Sequence, residues 1–362
     1  MPTPLKAVRA LLMVCAGLAL LTGMWVGLAR MGWALPTPNL FIHGPLMISS
    51  FLGTLISLER AVALRRNWTY AAPALTGLGG LTLLIGFPEM AGRALITLGS
   101  LALLIAFGWA YRRHYGLRVE WATATIGLGG LCWLAGNSLW LVGQPLYQVT
   151  PWWIGFLLLT ILGERLELAQ VALARRGRLI LFVISIAIFV AGLLLSRFTF
   201  VYGLQLCGLG LLLLGLWLIR FDVARGTIRR TGLTRFIAAC LLPGYFWLMA
   251  AGLLWLWWPA YFGAGPFYDA MLHMVLLGFV FSLIFGHAPI IFPAILDTPI
   301  HYRPAFYAHL ALLHLSVLLR AAGDLNAMPS LRMWAGWLNV AAILIFLGNT
   351  ILSSKSTSSA KQ

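Results

Sequence analysis

The feature that most constrains this chain is a succession of long apolar stretches, poor in charge, separated by short polar breaks. A helix needs about 20 apolar residues to cross the hydrocarbon core of a bilayer. Such stretches fall at about 8–30, 39–63, 70–87, 93–111, 121–143, 152–174, 179–196, 199–219, 236–258, 267–295, 305–322 and 332–352. They are continuous rather than alternating, which argues against a membrane β-barrel. The expected fold is an all-α integral membrane protein of about twelve transmembrane helices. Residues 1–353 are expected to form a single polytopic membrane domain, and 354–362 a short, disordered cytoplasmic tail. Composition agrees, with 61% hydrophobic and 9% charged residues in 362, against about 25% charged in soluble domains. Only lipid solvates such a chain, because water would face too much apolar surface.

The formal net charge of +16 raises the question of nucleic acid, and the distribution answers it. Lys6 and Arg9 stand at the start of the first span. Later clusters occupy alternate loops: Arg65 and Arg66; Arg112, Arg113 and Arg118; Arg175, Arg176 and Arg178; Arg220, Arg225, Arg229, Arg230 and Arg235; Arg303; then Lys355 and Lys361. The loops between them hold few. This positive-inside pattern puts both termini in the cytoplasm, and no nucleic-acid partner is expected. The basic excess is topological, with some attraction to anionic lipid. The first span is too long for a signal peptide and lacks a small-x-small cleavage site, so it is expected to be retained.

Cys15, Cys132, Cys207 and Cys240 lie singly within apolar spans. No CxxC or CxxCH motif is present, which excludes zinc ribbons and c-type haem attachment. Walker, GxGxxG and HExxH signatures are also absent. Trp and Tyr gather near span ends, as interfacial anchors do. A faint echo links Phe51–Arg60, Leu159–Arg165 and Phe281–His287 at intervals of four helices, suggesting three four-helix units with helices 2, 6 and 10 inside.

Ionisable residues inside a bilayer are costly and mark sites by default. His43 opens span 2 and His273 opens span 10. With a cytoplasmic N-terminus both lie at similar depth, near the outer face. Two imidazoles on facing helices can fill both axial positions of one haem iron. Gly44 would let the macrocycle approach the backbone, and Ser50 and Ser57 follow His43 at seven-residue intervals on its face. The competing expectation is that each histidine hydrogen-bonds a neighbouring carbonyl. Met47, Met271 and Met274 offer thioethers but more often fill cores.

A second group lies toward the cytoplasm. His287 follows His273 by 14 residues, about 21 Å deeper on nearly the same face, in a stretch kinked by Pro289 and Pro293. Glu59, Glu164, Glu167 and His309 share that depth, and with His287 they can bind a second metal ion or relay protons. On a straight helix, however, Glu59 faces roughly 160° away from His43. Ion pairing of Glu59 or Glu164 with an arginine on another helix is the leading alternative. His314, mid-span, is open between a ligand and an interhelical hydrogen bond. Arg320, near the outer face, can pair with haem propionates, with Arg93, Arg197 and Arg332 as rivals and snorkelling as the plain alternative.

This pattern resembles the catalytic subunit of haem–copper oxidases and nitric oxide reductases, and within that superfamily it is nearest to the NnrS-like membrane proteins. The resemblance is carried by His43-Gly-Pro-Leu-Met-Ile-Ser-Ser-Phe-Leu-Gly, by Leu272 to His287, and by Leu318-Leu-Arg320, with the topology covering the whole chain. It implies that His43 and His273 are axial ligands of a low-spin haem b in a bacterial inner membrane, with Arg320 near the propionates. The departures matter as much. Helices 6 and 7 hold no histidine for copper, and Met271 stands where a high-spin haem ligand would be. Oxygen reductase activity and proton pumping are therefore not expected. The expected function is electron transfer, haem handling or response to nitric oxide, with an electron donor protein or quinol as partner. The alternatives are a multi-helix transporter and a membrane-embedded metalloprotein using the glutamates and His287.

Overall fold

A computed structural model of the chain describes residues 4–37, 39–115, 120–168 and 176–355. Of the sequence expectations, Arg118, Arg175, Lys361 and nearly all of the tail fall outside them. The described residues are helical with no β-strand. Their packing divides them into two compact units, Met1–Leu166 with Pro293–Asp297, and Glu167–Phe292 with Thr298–Gln362. The sequence echo had suggested three units of four helices.

The first unit contains α1 (Pro4–Arg30), α2 (Gly53–Leu64), α3 (Ala71–Leu84), α4 (Glu89–Tyr115), α5 (Trp121–Leu141) and α6 (Leu146–Leu168). An eight-residue π-helix, Pro45–Leu52, leads into α2. Without a hydrophobic force between helices in lipid, close packing depends on small residues. Gly79 and Gly99 show this between α3 and α4. A Cβ on Gly79 would stand 2.7 Å from Ile96 Cγ1, and one on Gly99 would stand 2.5 Å from Thr76 Cγ2. Glu120 caps α5 by accepting from the main-chain N–H groups of Ala122 and Thr123.

The second unit contains α7 (Arg176–Leu195), α8 (Phe200–Phe221), a single turn α9 (Ala224–Thr227), α10 (Gly232–Trp257), α11 (Gly265–His273), α12 (Ser282–Leu296) as far as Phe292, α13 (Phe306–Leu325) and α14 (Pro329–Lys355). A second eight-residue π-helix, Met274–Phe281, joins α11 to α12. Here α8 and α10 meet at Gly208 and Gly252, where an added Cβ would stand 2.7 Å and 2.8 Å from the facing glycine's carbonyl oxygen. The four cysteines are buried thiols that form no disulfide. α14 continues through Lys355, so Ser354 and Lys355, expected in a disordered tail, are helical.

Ten helical segments among the described residues are long and apolar enough to cross a membrane, against the twelve expected. The difference lies in α3 and α5. Fourteen residues make α3 about 21 Å long, short of the ~30 Å hydrocarbon core. α5 has the length, but Trp121, Trp133, Asn137, Ser138, Trp140 and its glycines dilute its apolar character. Spans 2, 6 and 10 are the most buried, at 67%, 78% and 67% of their central windows. Elsewhere large apolar side chains such as Leu11, Leu98 and Leu352 face outward, where lipid is their solvent.

Candidate functional site

In the first unit, Asn39 caps a short turn by accepting from Phe41 N–H at 2.8 Å. That turn delivers His43 against α1, where its Nδ1 lies 2.7 Å from the carbonyl oxygen of Gly23. A carbonyl only accepts, so Nδ1 carries the proton and Nε2 is the basic nitrogen. Gly27, one turn on, leaves the space for the ring. A Cβ there would stand 2.8 Å from His43 Cε1, and a Cβ on Gly23 would stand 2.6 Å from Met47 Sδ. Met47 is thus packed on α1. The π-helix after His43 is held from behind by a buried polar group. Asn137 Oδ1 accepts from Ser49 Oγ at 3.0 Å and from Trp153 Nε1 at 2.8 Å, and Ser49 Oγ accepts from Trp133 Nε1.

The π-helix changes the seven-residue reading. Ser50 packs on Gly80, and Ser57 donates to Gly53 O at 2.6 Å. The 160° argument for Glu59 fails for the same reason, since a π turn holds more residues than an α turn. At the far end of this unit, Arg60 of α2 forms an ion pair with Glu164 of α6, the arrangement expected as the alternative to a metal site. Glu167 is exposed. Among the described residues, no three His, Cys, Asp or Glu side chains gather closely enough to hold a metal ion.

In the second unit, His273 ends α11 and is followed at once by the second π-helix. Its Nδ1 lies 2.9 Å from Asp269 O and 3.3 Å from Asp269 Oδ1. Nδ1 again carries the proton, and Nε2 is again the basic nitrogen. Asp269 receives the guanidinium of Arg320 in bidentate fashion, Nε to Oδ2 at 2.7 Å and Nη2 to Oδ1 at 2.9 Å. Arg320 Nη1 donates to Asn339 Oδ1 at 3.1 Å, and Asn339 donates to Ser316. Arg332 lies 3.8 Å from Asp269 Oδ1 and 2.9 Å from Asp324 Oδ1, the latter a close ion pair with a poorly directed N–H. Arg320, which the sequence offered to haem propionates, thus has its fork on a protein carboxylate. Asp269 was missed, although an acid inside a span, one turn before a candidate ligand, was the available signal.

The remaining histidines sort by their hydrogen bonds. His287 Nδ1 lies 2.7 Å from Leu283 O. His314 Nδ1 accepts from Trp247 Nε1 at 3.1 Å. Its Nε2 lies 3.2 Å from Ser282 Oγ, whose own proton goes to Cys240 O at 2.6 Å. Both ring nitrogens of His314 are committed, so it is an interhelical tie and not a ligand. His309 is buried among Phe236, Phe285, Phe306 and Phe346, with Nδ1 3.1 Å from Asn349 Nδ2. Met271 and Met274 are buried.

Two features fit His43 and His273 to haem iron. Each has Nδ1 on a main-chain carbonyl, a contact His287 also makes, which fixes the ring with Nε2 turned away from that carbonyl. Each also opens a π-helix, a local widening frequent at functional sites.

The fold is that of a multi-spanning helical membrane protein, and it resembles the heme–copper oxidase fold. A solved cryo-EM structure of a heme-copper terminal oxidase dimer superposes with a TM-score of 0.64 at 12% identity, covering 98% of this chain and 85% of that one. Residues 9–355 match the family described as Domain of unknown function (DUF8744), and the chain belongs to that family. No curated protein matches it.

Proposed function

We propose that this protein is a membrane haem b protein that carries electrons within an oxidase-like shell lacking the oxygen-reducing centre. His43 and His273 are its axial ligands. The observation that carries this reading is their shared local arrangement, a carbonyl on Nδ1 and a π-helix directly behind. Haem supplies one-electron exchange when bound. The chain fixes both imidazole rings through the Nδ1 contacts, and its lipid-facing side chains hold the site within the bilayer. Two protein ligands leave no open position, so gases would bind poorly. An NnrS-like place in nitric oxide response agrees with that chemistry if the protein passes electrons to or from a quinol or a donor protein.

The same reading has the chain cross a bacterial inner membrane twelve times, α3 and α5 included, with both termini in the cytoplasm. The alternate basic loops support it. Glu164 is assigned to its ion pair with Arg60.

The test is a visible spectrum of the purified protein, oxidised and dithionite-reduced, with a pyridine haemochrome assay. Sharp b-type bands in the wild type that disappear in His43→Ala and in His273→Ala are expected. A colourless wild type after expression with ample haem would refute the reading.

A further inference from the structure

The ion-pair cluster behind His273 is not needed to ligate iron, and the sequence reading did not foresee it. We infer that Asp269 is a positioning residue for His273, tuning the ligand's electron donation, and that Arg320 serves by holding Asp269 in place. This rests on the haem reading above.

The geometry is local and belongs to one unit. Asp269 and His273 are one turn apart on α11, so their side chains share a face. The Nδ1 proton of His273 is directed at the Asp269 main-chain oxygen at 2.9 Å, with a carboxylate oxygen of the same residue 3.3 Å away. A carboxylate behind a ligating imidazole draws its N–H outward, fixes the ring and makes the other nitrogen a stronger donor. A loose aspartate would do this poorly, because its side chain would swing. Here the carboxylate is clamped on both oxygens by the Arg320 fork. Arg320 is fixed in turn by Asn339, and Asn339 by Ser316. The chain of contacts crosses α11, α13 and α14 and ends on groups that are themselves buried.

Charge supports the same assignment. Asp269 and Asp324 face Arg320 and Arg332, so the bases of the cluster have acids of this chain beside them. A buried ion pair is weak evidence for stability, because desolvation opposes it. Its position against one ring nitrogen of one histidine is what a tuning role requires.

A stronger donor ligand favours ferric over ferrous iron, so removing the carboxylate charge should shift the equilibrium toward ferrous. The experiment uses the full-length, haem-loaded protein in detergent, with haem content measured before each redox titration. Asp269→Asn is expected to shift the ferric–ferrous equilibrium by about tenfold, which is about 59 mV upward for one electron. Haem retention should weaken roughly 10–100-fold. Because Asp269→Asn leaves Arg320 without its partner and can misfold, the double variant Asp269→Asn/Arg320→Gln removes both charges together and should show the same upward shift. Asp324→Asn, which removes an acid of the same cluster that is not against His273, should move the equilibrium less than threefold.

A haem-loaded wild type whose potential is unchanged in both Asp269 variants overturns this inference alone. So does an equal shift in Asp324→Asn, which would mean a general field effect. A wild type that binds no haem overturns the proposed function and this inference with it.

Discussion

Gly27→Ala tests the seat of His43 directly. The added Cβ would stand 2.8 Å from His43 Cε1, 3.1 Å from Nδ1 and 3.7 Å from Nε2. Relaxed contacts between carbon atoms lie near 3.5–4.0 Å, so the ring must retreat by roughly half an ångström or more. It cannot do so without stretching the 2.7 Å contact from Nδ1 to Gly23 O. Overpacking costs about 1–3 kcal/mol, and a weakened hydrogen bond adds about 1 kcal/mol. The helix regains roughly 0.5–1 kcal/mol from replacing glycine by alanine. The net expectation is a loss of about 1–3 kcal/mol. Gly17→Ala in the same helix is the matched control. Its Cβ would meet nothing within 4 Å, so only the gain of roughly 0.5–1 kcal/mol should remain. Thermal unfolding of the purified proteins, read with haem absorbance, should rank Gly17→Ala at or above wild type and Gly27→Ala below both. Gly27→Ala should also lose haem more readily. If the two alanine variants melt together with full haem, the His43 seat has been misread.

Three further outcomes follow from the hydrogen bonds. His314→Ala removes two interhelical bonds and should cost about 1–3 kcal/mol, given roughly 0.6–1.7 kcal/mol for each such bond in membranes. Its haem spectrum should be unchanged, and loss of the reduced bands would make His314 a ligand after all. Asn137→Ala strands the buried Trp153 indole N–H and should lower stability by about 1–3 kcal/mol; a shift in unfolding temperature no larger than for a surface alanine would contradict this. Glu164→Gln breaks an ion pair whose side chains are 19% and 29% exposed, so the loss should stay near 0–1 kcal/mol. Elemental analysis should find equal non-haem metal in wild type and Glu164→Gln, and metal lost on substitution would revive the sequence-based metal site.

Hydropathy made the helical membrane class legible, because lipid forces every spanning backbone to satisfy itself and leaves a run of apolar residues as the trace. The candidate histidines were legible for the complementary reason, since few polar groups interrupt those runs. Composition could not show what the histidines touch. The Gly23 carbonyl and the space above Gly27 belong to another helix, 16 to 20 residues away in sequence. Asp269 was readable in principle from its spacing before His273, but the expected pairing of Arg320 with propionates drew attention from the nearer acid. The choice between ligand and tie for His314 depended on Trp247 and Ser282, which only tertiary packing supplies. The two π-helices left no mark beyond Gly44, Pro45 and Gly53 around the first. Every face assignment made across 45–52 on an ideal α-helical spacing therefore drifted.

Each π-helix is what a helix looks like after absorbing a residue its α-helical ladder has no place for. The direction in which His43 points relative to α2 is therefore set by how many residues stand between them, more than by which ones. Substitutions within 46–51 that keep packing would leave that aim intact. Closing that ladder as an α-helix without removing a residue would swing the histidine by about 100°, away from Gly23 and out of the seat that α1 provides, whereas deleting a single residue there would restore the α ladder and largely keep the aim. The same holds for 275–280 and His273. In this fold the aim of a histidine is written partly in chain length, a property that comparison of aligned residues alone does not weigh.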